Sequence, residues 1–197
     1  MLVQGVLYHI YNRGNNRERL FRETENYRYF LERYWYYLTD QVDTYAYCLM
    51  PTHFHFLISV KDTSTPAQPA AGKLTLAEKA FRDFLISYAK SFNKRYQRTG
   101  SLFEYKFKRK PVTHSDHLLR LIVYIHGNPV KAGLCTDFAG WMFSSYVALI
   151  GDETTSLQRE EVFGWFDGQP EFVAFHQAYY EEVYSTDNEN FKSLQDF

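Results

Sequence analysis

The chain of 197 residues is 45% hydrophobic and 19% aromatic, which is enough apolar material to fill a core and excludes disorder throughout. Its two cysteines, Cys48 and Cys135, lie far apart and lack the spacing of a disulfide framework or a thiolate metal site. No stretch approaches the ~20 apolar residues that span a bilayer, and the N-terminal residues lack the apolar run of a signal peptide. We therefore expect a cytoplasmic protein that is not bound to a membrane.

The net charge of −1 conceals an uneven distribution along the chain. Residues 1–136 contain 20 Lys and Arg against 11 Asp and Glu, a balance of +9, whereas residues 137–197 contain 2 against 12, a balance of −10. This asymmetry indicates that the basic residues 1–136 bind a polyanionic partner. Chance segregation of solvated surface charges explains the same numbers, so charge alone does not decide between the two.

The first half of the chain predicts three strands and one helix. Alternating apolar residues indicate a strand from Val6 to Asn12, and the polar residues after it indicate a loop. Aromatic and aliphatic residues at helical spacing predict an amphipathic helix from about Glu23 to Thr39. Two further strands are predicted, from Thr44 to Cys48 and from His53 to Val60.

The second half begins with residues 62–73, a segment rich in Pro, Ala, Ser and Thr that we interpret as a flexible connection. A long helix is predicted from about Thr75 to Arg95, with Thr75 and Glu78 as its capping box. Its predicted inner stripe consists of Ala77, Phe81, Phe84, Leu85, Tyr88 and Phe92. A strand from Leu102 to Val112 follows, and then a helix from about His117 to His126, closed by Gly127 and Pro129.

The order of these elements, β–α–β–β–α–β–α, is that of the ferredoxin-like pattern with an added helix. We therefore predict an α+β fold in which helices pack on one face of a four-stranded antiparallel sheet. After about residue 137 the periodicity weakens, and only one more helix is predicted, from Glu171 to Tyr184.

A pair of histidines stands out in the third strand. Successive side chains of a strand point to opposite faces, so His53 and His55 should project together while Phe54 points away. Two imidazoles with this orientation can share one divalent cation, with a third ligand supplied from elsewhere. Two half-exposed histidines on an ordinary strand are the alternative, and HxH occurs often by chance.

Tyr124 and Asn128 are four residues apart and would share one face of the predicted helix. Such a helix could bring a phenol and an amide oxygen to a metal site, and the amide oxygen suits Mg²⁺ or Mn²⁺ better than Zn²⁺. The alternative is that Tyr124 is one of many packing tyrosines, since the chain has 17. Asn128-Pro129 is, equally, a common helix-end signal without chemistry.

Taken together, these motifs resemble the single-tyrosine HUH transposases, in particular those related to the REP-associated tyrosine transposases of bacteria. The resemblance spans roughly residues 5–150 in the order of the family. The ordered set of motifs is specific, whereas HxH alone is weak. The matching stretches are YHIYNRG at 8–14, MPTHFHFLI at 50–58, NKRY through GSLF and KFK between 93 and 108, and YIHGNPVKAGL at 124–134.

The resemblance implies a nuclease domain over residues 1–136 that cleaves and rejoins single-stranded or hairpin DNA, with an acidic extension at residues 137–197. It implies that His53 and His55 hold a divalent metal, Mg²⁺ or Mn²⁺, and that Asn128, where many insertion-sequence relatives have Gln, is the third ligand. Tyr124 corresponds to the nucleophile, which forms a 5′-phosphotyrosine. The family further implies association with the nucleoid and action as a monomer or homodimer.

A basic segment is the predicted DNA surface. Between residues 90 and 110 eight Lys and Arg are interleaved with aromatics around a single acid, Glu104, so that phosphates and unpaired bases could both be bound. A solvated helix end beside core aromatics is the alternative. With Arg13, which follows the first strand, the predicted contacts are Lys90, Lys94, Arg95, Arg98, Lys106, Lys108, Arg109 and Lys110.

Two other functions compete with a transposase. A sequence-specific DNA-binding protein could keep the fold without cleavage, although intact His53, His55, Tyr124 and Asn128 speak against it. A metal-dependent phosphodiesterase could use the histidines alone on small substrates. It would form no covalent protein–DNA species and would show little salt dependence of binding.

Overall fold

The computed structural model describes residues 1–62 and 73–184. Most of the predicted flexible connection, together with the chain from residue 185 onward, lies outside the described residues. The strands are β1 (Leu7–Arg13), β2 (Val42–Met50), β3 (His53–Val60) and β4 (Lys108–Pro111). The helices are α1 (Thr24–Leu38), α2 (Leu76–Arg95), α3 (Ser115–Lys131), α4 (Ser145–Ile150), α5 (Arg159–Trp165) and α6 (Gln169–Tyr184).

The four strands form one sheet in the order β2-β3-β1-β4, in which β1 pairs antiparallel with both β3 and β4. This is the strand order of the ferredoxin-like pattern, so the predicted fold class is confirmed. Within the described residues, no helix is long and apolar enough to cross a membrane.

Helices α1 and α2 pack on one face of the sheet through aromatic side chains. The ring of Phe30 in α1 lies 5.2 Å from that of Phe54 in β3 and 4.7 Å from that of Phe84 in α2, measured between centroids. Tyr34 stacks on Phe56 at 4.2 Å. Interlocking aromatic pairs of this kind contribute about 0.5–1.5 kcal/mol each beyond the burial of their area. The face of β3 that carries Phe54 and Phe56 is therefore fixed against the helices.

The N-terminus of α2 is set by local sequence. The Thr75 hydroxyl accepts a hydrogen bond from the Glu78 backbone N–H at 3.1 Å, and the Glu78 carboxylate accepts one from the Thr75 N–H at 3.0 Å. This is the predicted capping box. All six residues of the predicted inner stripe of α2 are buried, as the helical spacing indicated.

The predicted strand over residues 102–112 is wrong in its first half, because only Lys108–Pro111 forms β4. Leu102 accepts a hydrogen bond from the backbone N–H of Asn15, and the N–H of Glu104 donates to the carbonyl of Arg13. These bonds tie residues 102–104 to the loop after β1. Leu102 and Phe103 are both buried, so this segment packs against the rest of the first unit as a loop before β4 begins.

The predicted end of α3 at His126 is also wrong, because the helix continues through Pro129 to Lys131. Proline removes one helical hydrogen bond and normally kinks or ends a helix, but residues 125–129 are all buried, and tertiary packing overrides that local signal here. Beyond Lys131 the chain turns at Gly133, whose φ of 66° is the left-handed conformation that favours glycine. The N–H of Gly133 then bonds to Val130 and that of Leu134 to Pro129, which satisfies carbonyls of the last turn.

By its internal contacts the described chain divides into two compact units, residues 1–44 with 49–111, and residues 45–48 with 112 onward. Helix α3 belongs to the second unit. This division differs from the ranges predicted from motifs and charge, 1–136 and 137–197, which remain predictions about functional domains. The second unit also contains α4 and α5, which are too short to show a periodicity and were not predicted.

Candidate functional site

Residues His53 and His55 lie on the same side of β3, away from the aromatic face that packs on α1. Their ring centroids are 5.1 Å apart, and the rings are nearly perpendicular. Phe54 between them is fully buried and contacts Phe30. The alternation predicted for this strand therefore holds, and the first unit presents two imidazoles side by side.

Both imidazoles are oriented by a hydrogen bond to Nδ1. The Nδ1 of His53 lies 3.0 Å from the Thr52 hydroxyl, and the Nδ1 of His55 lies 2.9 Å from Nε2 of His9. His9 is buried in β1 and was not predicted as a site residue, although it lies within the first matching motif. A third histidine thus belongs to this cluster, and only strand pairing brings it there.

Burial holds the pKa of the His55 imidazole well below its ordinary value, with repulsion from His9, His53 and Arg13 acting in the same direction. The ring is therefore neutral at neutral pH. Neutral imidazole is the form that binds a metal ion, so no proton has to be displaced from His55 before a cation can bind.

Strand β1 extends the histidine face of the sheet. In the β1–β3 register Tyr11 lies opposite His55, and Arg13 lies opposite His53. Directly opposed residues share one face, so these four side chains form one surface. The Tyr11 ring stacks on His9 at 4.8 Å and lies 6.0 Å from the ring of His55. Burial raises the pKa of the Tyr11 phenol, which keeps it protonated.

The same face continues onto β4, where it becomes cationic. Lys108 lies opposite Tyr11 and Lys110 lies opposite His9. The ammonium of Lys108 is 5.8 Å from the centre of the Tyr11 ring. Arg13, Lys108 and Lys110 therefore border the histidines with positive charge, as a phosphate-binding surface requires.

The donor atoms of the histidine pair fit a divalent cation. Imidazoles whose Nδ1 atoms are engaged can ligate a cation through Nε2, the usual arrangement for metal-bound histidine. Among the described residues, no group of three or more His, Cys, Asp or Glu could hold a metal ion. A complete site on this pair would thus take further ligands of another kind, such as an amide oxygen or water.

Helix α3 of the second unit carries Tyr124 and Asn128 one turn apart. The Asn128 side-chain amide donates to the backbone carbonyl of Tyr124 at 2.7 Å. Because the amide nitrogen is engaged in this bond, the side-chain oxygen Oδ1 is the atom that could ligate a cation. Tyr124 is half-buried and Asn128 is 8% exposed.

A buried chain of hydrogen bonds anchors α3 within the second unit. His126 Nδ1 lies 2.9 Å from His176 Nε2, and His126 Nε2 lies 2.8 Å from the Ser145 hydroxyl. His176 Nδ1 lies 2.7 Å from the carbonyl of Phe172, so it must carry the proton and donate it. It follows that His176 Nε2 accepts from His126, and that Ser145 donates to His126 while accepting from the Tyr47 N–H at 2.8 Å. Both histidines are neutral in this arrangement.

This chain predicts a loss of stability in mild acid. Burial lowers the pKa of His176 to about 3, whereas an unfolded histidine titrates near 6.5. The unfolded state therefore takes up a proton first as the pH falls. The contribution of neutral His176 to the free energy of unfolding is therefore fully present above about pH 6.5 and is lost progressively as the pH falls toward 3. Between pH 7 and pH 5 the loss is about 2 kcal/mol for one such histidine.

The measurement is denaturant unfolding followed by tryptophan fluorescence at pH 7 and pH 5. We expect His176→Gln to lower the stability at pH 7 but to show a smaller decrease between the two pH values. The exposed His114 provides a matched control, His114→Gln, which should keep the full decrease. An unchanged decrease in His176→Gln contradicts the prediction.

The predicted DNA-binding cations fall into two groups in the structure. Four arginines form ion pairs: Arg13 with Glu104 at 4.0 Å, Arg95 with Glu23 at 2.7 Å, Arg98 with Glu18, and Arg109 with Glu78 at 3.2 Å. Arg98 binds both oxygens of Glu18 at 2.8 Å and also donates to the carbonyl of Ser101. Arg98 thus ties the end of α2 to the loop after β1. The other group has no ion pair among the described residues and comprises Lys90, Lys94, Lys106, Lys108 and Lys110.

Comparison with known proteins gives a likeness of fold. No family model matches the chain, and no curated protein matches it. A solved structure of a REP-associated tyrosine transposase bound to a REP hairpin is similar, with a TM-score of 0.59 at 16% identity. The match covers 76% of this chain and 82% of the transposase chain. The two chains are therefore similar in the arrangement of their strands and helices.

Proposed function

We propose that this protein is a DNA transposase that cleaves and rejoins single-stranded DNA at hairpin repeats through a covalent tyrosine intermediate. The observation that carries the proposal is the face of the sheet on which His53 and His55 lie together among Arg13, Lys108 and Lys110. A fold similar to that of a tyrosine transposase supports it. Association with the nucleoid follows from such an activity.

In this proposal His53, His55 and the Asn128 side-chain oxygen hold Mg²⁺ or Mn²⁺. The bound cation would polarise a non-bridging oxygen of the scissile phosphate and offset the charge of the transition state. An amide oxygen with imidazoles favours these cations over Zn²⁺. The cationic edge of the sheet would hold the flanking phosphates.

The Tyr124 phenolic oxygen is the proposed nucleophile. It forms a bond to phosphorus as the bond from phosphorus to the 3′ oxygen breaks, which yields a 5′-phosphotyrosine and a free 3′-OH. The phenolic proton is lost to solvent and the departing 3′ oxygen takes one up, so the step is balanced. Attack of a second 3′-OH on the phosphotyrosine reverses the step and joins two strands without an external energy source.

The test is incubation with an end-labelled DNA hairpin carrying single-stranded flanks, with Mn²⁺ or with EDTA. We expect cleavage and a protein–DNA species that survives denaturation, both dependent on Mn²⁺. A steep salt dependence of binding without cleavage would favour the non-catalytic DNA-binding protein. Metal-dependent hydrolysis of small phosphodiesters with neither an adduct nor salt-dependent DNA binding would favour the phosphodiesterase.

A further inference from the structure

We propose that a cavity in the first unit binds an unstacked base of the single-stranded DNA flank. The cavity, called here the α2 cavity, has a volume of about 450 Å³ and lies between α2 and residues 100–107. Its size falls within the range of about 300–1,000 Å³ that is typical of small-ligand pockets. The inference rests on the proposed function and names where the flank of that substrate is held.

The walls of the α2 cavity are mainly apolar and partly exposed. Leu85 and Phe103 form buried parts, whereas Ile86 on α2 is 45% exposed and Tyr105 is 92% exposed. Leu74 at the edge is 48% exposed. Scattered exposed apolar residues are ordinary, but several around one concavity indicate a surface that another molecule covers.

The rim of the cavity is mainly cationic, and its one carboxylate outside the helix cap, that of Glu104, lies 4.0 Å from Arg13. Arg82, Lys106 and Arg109 line it, and the Lys106 ammonium lies 5.2 Å from the centre of the Tyr105 ring. An aromatic platform with an adjacent cation suits a base together with its phosphate. Arg109 is paired with the buried Glu78 at 3.2 Å and Arg82 with Asp83 at 2.8 Å, so Lys106 is the cation we assign to the phosphate.

The polar side chains of the cavity already form hydrogen bonds or ion pairs within the protein, which limits their ability to form hydrogen bonds with a bound base. The Asn12 amide donates to the Glu104 carbonyl and accepts from the Arg13 N–H. The Glu78 carboxylate is committed to the helix cap and to Arg109. Recognition in the cavity therefore depends on stacking and charge rather than on base edges, so we expect it to accept different bases.

The test is binding of a fluorescent single-stranded oligonucleotide to the full chain in EDTA, where no cleavage occurs. Tyr105→Ala removes an exposed ring without disturbing the core, and we expect a loss of affinity of about 5- to 100-fold. Ile86→Ser alters the opposite wall and should also weaken binding. Lys106→Ala should reduce the slope of log affinity against log salt by about one. The matched control is Tyr36→Ala, which removes a 72% exposed ring on α1 and should change nothing.

A direct readout is 2-aminopurine at successive flank positions, whose fluorescence reports stacking. We expect quenching at one position in the parent protein and its loss in Tyr105→Ala. If both Tyr105→Ala and Ile86→Ser bind the oligonucleotide within about twofold of the parent affinity, the inference is overturned. The cavity would then bind a protein partner or no ligand. Formation of the covalent protein–DNA adduct distinguishes failure of this proposal from failure of the proposed function. If the parent protein forms the adduct but the cavity variants bind DNA as well as the parent does, only the role of the α2 cavity is refuted. If the cavity variants bind DNA more weakly but the parent forms no adduct, only the cleavage activity is refuted.

A separate observation, the buried hydrogen bond between His9 and His55, leads us to infer that His9 is a positioning residue for the metal site. For His55 to ligate through Nε2, its Nδ1 must carry the proton and donate it to Nε2 of His9, 2.9 Å away. His9 is itself held by stacking on Tyr11. The pair thus fixes both the tautomer and the ring orientation of His55.

Removal of such an outer partner typically costs about 10- to 100-fold in metal affinity. The test is Mn²⁺ affinity by calorimetry in His9→Phe and His9→Gln, compared with the control His114→Gln at an exposed histidine. We expect the full loss in His9→Phe and partial rescue in His9→Gln, whose amide oxygen can still accept from Nδ1. Thermal unfolding checks that both variants fold. If folded His9→Gln and His9→Phe bind Mn²⁺ as the parent does, His9 is a packing residue only.

Discussion

Replacing Tyr124 with Phe is expected to abolish the covalent protein–DNA adduct and to reduce cleavage at least ~10³-fold, as removal of a nucleophile generally does. The substitution deletes one oxygen and keeps the ring, so the packing of α3 is preserved. Affinity for hairpin DNA should stay within about twofold, because binding depends on the cationic surface. The measurements are denaturing gel analysis of the labelled hairpin with Mn²⁺ and a binding titration in EDTA.

The most informative control for this prediction is Tyr11→Phe. Tyr11 lies opposite His55 in the first unit, which makes it the competing nucleophile, but burial raises its pKa and disfavours the phenolate. We expect the adduct to form normally in Tyr11→Phe. Loss of the adduct in Tyr11→Phe, with its retention in Tyr124→Phe, would transfer the assignment from one tyrosine to the other.

The second large effect is expected at the histidine pair. His53→Ala should reduce Mn²⁺-dependent cleavage by about 10³-fold, because the charge stabilisation by a catalytic metal amounts to several kcal/mol. His53 is half-buried, so its truncation is less disruptive than that of His55, which is 5% exposed. EDTA should reduce cleavage by the parent protein to the same extent. Addition of Mn²⁺ after EDTA should restore cleavage by the parent protein but not by His53→Ala.

The corresponding test of the third ligand is Asn128→Ala, which removes the side-chain oxygen and also the hydrogen bond to the Tyr124 carbonyl. We expect weaker Mn²⁺ binding by at least tenfold, since even an outer-shell partner contributes about that much. Asn128→Gln keeps an amide oxygen on a longer arm and should retain part of the affinity. His114→Ala, at an exposed histidine, is the control. Parent-like metal affinity in both His53→Ala and Asn128→Ala contradicts the proposed ligand set.

Local patterns predicted the parts of the molecule that depend on neighbours in sequence. The alternation around Phe54 correctly placed His53 and His55 on one side of β3, because the pleat of a strand has a period of two. The capping box of Thr75 and Glu78 correctly located the start of α2, because both of its hydrogen bonds join residues three apart. Strand order could be anticipated because few topologies accommodate this succession of elements.

Other features were not predictable from neighbours in sequence. His9 joins His55 only through the β1–β3 register, and the two lie 46 positions apart. Arg98 was expected on the DNA surface, but its guanidinium is committed to Glu18, 80 positions away. The end of α3 was predicted at His126, because Gly127 and Pro129 are general stop signals, whereas the helix continues to Lys131 and the left-handed turn after it is made by Gly133.

The sequence by itself determined the ferredoxin-like order of elements, the pair of imidazoles on one strand face and the spacing of Tyr124 and Asn128 on a helix. These follow from periodicities of two and 3.6, which act over a few residues. The tertiary structure alone decided which nitrogen of each imidazole is engaged, which cations share the histidine face and where the α2 cavity lies. Those features depend on strand register and on hydrogen bonds between distant residues, and no local pattern encodes them.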